Sequence, residues 1–147
     1  MGEHRKVEDL KRGYFPEGTS HLDVYFKLGE MHFVWDKAKS DKCFAERGFD
    51  FQTAAMVFND EACINEPDPV HSIEKDRFFG IGIPTSATEK EEAFIGEVDD
   101  VLYVVYTERA LDDTEDDLIY QRIISARVAT RKEKKLYEDR KAILFGS

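Results

Sequence analysis

An α+β domain, with an antiparallel sheet, two helices toward the N-terminus and one at the C-terminus, is predicted by three features of the 147-residue sequence. Apolar residues alternate with polar ones in short runs, as at Leu22, Val24, Phe26 and Leu28, the period of a half-buried strand. Helical windows open on capping residues at Asp36, Asp50 and Thr130. The run Val101–Tyr106 is apolar on both faces, as a central strand is.

Taken in order, residues 1–30 are polar, with turn chemistry at Phe15-Pro16-Glu17-Gly18 and a strand from His21 to Leu28. A second strand covers His32 to Trp35. Asp36 caps a helix running to about Arg47 and stopped by Gly48. Asp50 caps a second helix through Phe58, with Phe51, Ala54, Ala55 and Phe58 on one face. A strand near Ala62–Asn65 precedes a loop holding Pro67 and Pro69. Three more strands follow, Arg77–Ile83, Val101–Thr107 and Leu118–Ala126. Gly80 and Gly82 share one face of their strand, where a helix can approach closely. Thr130 and Glu133 form a capping box opening a last helix to about Ala142.

The length suits one domain with one modest core, and an apolar fraction of 41% argues against wholesale disorder. No apolar run is long enough to span a bilayer, and the charged N-terminus has no apolar signal core. Cys43 and Cys63 lack metal-ligand spacing and read as unreactive free thiols. A cytoplasmic protein without membrane contact is expected.

Net charge is −10, but the acids are concentrated. Residues 84–100 hold six acids against Lys90, and 110–118 hold five with no base. Residues 121–141 hold eight bases and three acids. Such a run is either a solvated helix face or a phosphate-binding face on an acidic body.

From Met31 to Arg140 the order of motifs resembles the BrnT family of ribonuclease toxins. The matching pieces are Phe33-Val34-Trp35-Asp36 with Lys39, then Gly48, Phe51, Val57-Phe58 and Asp60. Pro67-Asp68-Pro69-Val70-His71-Ser72 follows, with Arg77 six residues after the His. The tail is Tyr106-Thr107-Glu108-Arg109, Arg122-Ile123-Ile124-Ser125-Ala126-Arg127, Ala129-Thr130, Glu133 and Tyr137. The resemblance implies a compact RelE-like fold at residues 31–147, with 1–30 as an N-terminal extension. It implies an endoribonuclease that inhibits translation, and a ribbon-helix-helix antitoxin that neutralises it and represses the shared promoter, so that DNA is met only through the antitoxin. Three features depart from the family pattern: Cys43 in place of Asn, Glu46-Arg47 in place of Lys-His, and the long acidic loops. They leave open an impaired relative that serves as a binding module for the antitoxin.

RNA cleavage without a metal or other cofactor needs a base, an acid and cations aimed at phosphate oxygens. Arg77, Arg109, Arg122 and Arg127 offer forked guanidinium groups for the last role; each alone reads equally as a surface ion pair or a packed stem. His71 is an acid/base candidate or a loop residue capping a turn. Glu108 is a base, or a salt-bridge partner orienting Arg109 or Arg127. Catalytic roles thus fall to His71, Arg77, Glu108, Arg109 and Arg127. Lys39, Arg122 and Tyr137 are the RNA-binding candidates, with solvation for Lys39 and core packing for Tyr137 as alternatives. Trp35 belongs to the core, and His4, His21 and His32 lack ligand spacing.

Overall fold

The computed structural model describes residues 22–68, 77–88, 98–110 and 119–146. Among them the chain forms six strands and three α-helices. A hairpin of β1 (Asp23–Leu28) and β2 (Met31–Asp36) opens the fold, followed by α1 (Lys37–Arg47) and α2 (Phe51–Ala55). A 3-10 turn at Met56–Asn59 leads into β3 (Ile64–Pro67) and β4 (Arg77–Gly82). The chain ends with β5 (Leu102–Ala110), β6 (Ile119–Val128) and α3 (Arg131–Phe145).

The helix ends follow the capping chemistry. Asp36 accepts from the Ala38 amide, and Gly48 ends α1 at φ 85°, a left-handed position that glycine takes without Cβ strain. Asp50 accepts from the Thr53 amide. At α3 both halves of the capping box form, Thr130 with the Glu133 amide and Glu133 with the Thr130 amide.

Two expectations need correction. The strands lie in the order β1-β2-β6-β5-β4-β3, and β2 runs parallel to β6, so the sheet is mixed. The first two helices do not precede the sheet; they connect its second strand to its third. The cause is the β1–β2 hairpin, joined through six residue pairs from Asp23↔Asp36 to Leu28↔Met31, which seats beside the last strand. The second helix is also shorter than its apolar spacing suggests, tightening into 3-10 geometry after Ala55.

Alternation divides the strands into two faces. Phe33, Trp35, Leu102, Val104, Ile123 and Ala126 form the main core with Phe51, Ala54, Ala55, Met56 and Val57 of the helical segment. A Cβ on Gly82 would lie 3.2 Å from the Val57 carbonyl, and one on Gly80 would lie 3.3 Å from the Phe58 ring. The helical segment therefore approaches at the two glycines, as their shared face predicts. A smaller core, built on Ala62, Ile81, Val101, Ala129 and Tyr137, seats α3. Among the described residues no helix is long and apolar enough to cross a membrane.

Candidate functional site

The sheet face opposite the main core carries the polar chemistry. Registers run Arg77↔Thr107 between β4 and β5, Thr107↔Arg122 between β5 and β6, and Val34↔Arg122 between β2 and β6. Paired residues share a face, so Arg77, Thr107 and Arg122 form one cross-strand row. Arg109 lies two residues beyond Thr107 on the same side, opposite Tyr120. Arg127 joins them opposite Tyr103. Four arginines spread over fifty residues of sequence thus share one face of the sheet, with Arg127 four residues along β5 from the Arg77–Thr107–Arg122 row.

Among the described residues, carboxylates hold Arg122 and Arg127. Arg122 makes hydrogen bonds of 3.3 and 3.0 Å to Asp23, whose side chain is 1% exposed. Arg127 makes bonds of 2.7 and 3.0 Å to Glu133. The Arg127 guanidinium also lies 4.1 Å from the Tyr103 ring centre, and that ring stacks on Phe79 at 5.2 Å. Both faces of Tyr103 are therefore covered. The hydrogen bond from Arg127 holds the Glu133 carboxyl below its ordinary pKa, against the opposing effect of burial. In the middle of the row Thr107 is buried, and its hydroxyl has no hydrogen-bond partner among the described residues.

Other candidates fall elsewhere. Glu108 pairs with Gln121, which pairs in turn with the core residue Phe33. It thus points to the helix-bearing face, away from the arginines, so the expected role in orienting Arg109 or Arg127 is corrected. Glu133 orients Arg127 instead. Tyr137 is 1% exposed, and its hydroxyl donates to Asp60 at 2.6 Å. The expectation that it stacks on a base or contacts phosphate is likewise corrected, because the smaller core encloses it. Lys39 is exposed on α1 beside a cleft against β6. His71 lies outside the described residues. Trp35 is buried in the main core, as its apolar setting suggests.

Sequence reasoning missed Asp23 and the histidine of β2. His32 is buried, with Nδ1 hydrogen-bonded to the Tyr25 hydroxyl across the hairpin. Alternation with Val34 puts it on the arginine side of the sheet. The available signal was the strict hairpin alternation, which places Asp23, Tyr25 and His32 on one face once the turn is located at Gly29.

A family model described as ribonuclease toxin, BrnT, of type II toxin-antitoxin system matches residues 35–133, more than half of the chain. The match includes all four arginines and leaves out β1 and Tyr137. No curated protein matches the sequence.

Proposed function

From its membership of the BrnT family of ribonuclease toxins of type II toxin–antitoxin systems, which implies an antitoxin partner, we propose that this chain is a metal-independent endoribonuclease that inhibits translation by cleaving RNA. One observation carries the proposal: strand register gathers Arg77, Arg109, Arg122 and Arg127 on one face of the sheet. Arg77 and Arg109 bind the oxygens of the scissile phosphate and neutralise charge that builds in the transition state. Arg122 and Arg127, tied to carboxylates, stiffen the rim of the site. His71 supplies the proton transfers to and from the 2′-oxygen and the leaving 5′-oxygen. The toxin domain is assigned to residues 31–147 with a RelE-like fold, and β1 extends the sheet from the N-terminal segment.

The test is cleavage of bulk RNA in a chelating buffer. The wild-type protein cleaves, and Arg77→Ala or Arg109→Ala abolishes cleavage without lowering the unfolding midpoint. Unchanged cleavage in both variants would refute these roles.

A second reading is favoured by the carboxylates that already occupy Arg122 and Arg127. Under it the chain is a catalytically impaired relative that only binds its antitoxin. Growth arrest on expression, relieved by the antitoxin, would eliminate it. In either case the partner is a ribbon-helix-helix protein docking on α3, where basic residues flank the exposed Leu136, Ile143 and Phe145.

A further inference from the structure

We propose that a second site, the cleft between α1 and the free edge of β6, binds a phosphate of single-stranded RNA; this rests on the ribonuclease reading above. The cleft follows from topology. β2 pairs with β6 only at Phe33↔Gln121 and Val34↔Arg122, then turns into α1 at Asp36. Beyond Arg122 that edge of β6 faces a helix and not a strand. A register shift leaves Ile124 opposite no residue of β5, and such a bulge bends the strand and re-aims its side chains. What remains is a cleft of about 280 Å³ with an apolar floor of Phe51, Ile124 and Ala126.

Its wall is cationic. Lys39, Cys43 and Arg47 are spaced i, i+4, i+8 on α1 and share one helix face. Cys43 is buried and its thiol donates to the Ala126 carbonyl at 3.6 Å, which presses this face against β6. Lys39 and Arg47 then flank the cleft, separated by about 12 Å of helical rise, and both are exposed. Lys42 adds a third positive charge. The one acid in the wall, Glu46, lies 3.9 Å from Lys42.

On a chain of net charge −10, this is a local positive field beside an apolar surface. A nucleotide unit matches that pairing, with its phosphate on Lys39 and Arg47 and its base or ribose against the half-buried Ile124 of the floor. The cleft lies on the helix side of β6, whereas Arg122 and Arg127 project from the other face of the same strand. One RNA strand crossing this edge would meet both sites.

The test is anisotropy of a fluorescent single-stranded oligonucleotide, 2′-O-methylated throughout to block cleavage, across a salt series. The Lys39→Ala/Arg47→Ala double variant should bind about tenfold more weakly at low salt, with a salt slope shallower by about 1 to 2. Its unfolding midpoint should match wild type. Unchanged affinity and slope overturn the second site, while loss of cleavage in Arg77→Ala would still support the arginine face. Conversely, weakened binding in the double variant beside normal cleavage in Arg77→Ala keeps the cleft and defeats the arginine reading. Adenosine monophosphate should compete only weakly, and competition as strong as that of the oligonucleotide would assign the cleft to free nucleotides. Loss of antitoxin binding alone, with RNA affinity intact, would assign it to a protein partner.

Discussion

Arg122 on β6 reaches past β2 to hold the buried carboxylate of Asp23 on β1. One ion pair thus spans three strands and fixes the hairpin to the last strand. Removing one partner of a buried pair leaves the other charge without compensation, at a cost of roughly 3–5 kcal/mol. Arg122→Ala should therefore lose about 3 kcal/mol, the lower end because the guanidinium is 29% exposed. Urea denaturation measures this. A loss under about 0.5 kcal/mol, typical of a surface pair, would show that the clamp is unimportant.

The Arg127–Glu133 pair gives a pH dependence of known sign. The Glu133 pKa is depressed by its bond to Arg127, so the folded state holds its proton less tightly than the unfolded chain. The resulting stability is fully present above the unfolded value, about 4.3 for glutamate, and is lost as pH falls through the lower folded value. Stability measured through this acid range should decline less steeply in Glu133→Gln than in wild type. Parallel curves would rule the pair out as the source.

Tyr137→Phe removes one hydrogen bond from a buried ring. Asp60 keeps its bonds from the Ala62 and Ile83 amides, so no carboxylate is stranded and the cost should be about 1 kcal/mol. Oligonucleotide affinity should stay at the wild-type value. A substantial drop in affinity at unchanged stability would return Tyr137 to the RNA-binding set.

Gly82→Ala probes the approach of the helical segment. The new Cβ meets the Val57 carbonyl at 3.2 Å and the Asp60 carboxylate at 3.3 Å, and the backbone oxygen has little freedom to yield. A loss of roughly 1–3 kcal/mol is expected. Gly29→Ala is limited by backbone strain instead, since φ there is 59° and nothing lies within 4 Å of the new atom.

Both thiols should resist modification in the folded protein. Burial pushes Cys63 up to about 12 and also raises Cys43, so thiolate is scarce near neutrality. Rapid labelling of either cysteine by a thiol reagent without denaturant would contradict this.

Local chemistry was legible in the sequence. The caps at Asp36, Asp50 and Thr130, the stop at Gly48 and the close approach at Gly80 and Gly82 all depend on residues near in sequence or on one strand face. Pairing was not legible. Alternation gives Val34 a face but not a neighbour, and nothing local says that its neighbour is Arg122. The same limit governed the site. Arg77 and Arg122 could be named, but their common row depends on two strand registers. Glu108 was misjudged because a one-residue step reverses the face of a side chain. Glu133 was read only as a cap, although the same carboxylate also grips Arg127.

The parallel seating of β2 against β6 also sets a timetable for synthesis. The hairpin leaves the ribosome well before the strand that completes its sheet, with α1, α2 and three other strands made in between. Until β6 emerges, β2 lacks the strand that seats beside it, Asp23 lacks Arg122, and two of the four arginines have not been made. Such distant pairing slows folding, and here it delays assembly of the arginine face until β6 has been made.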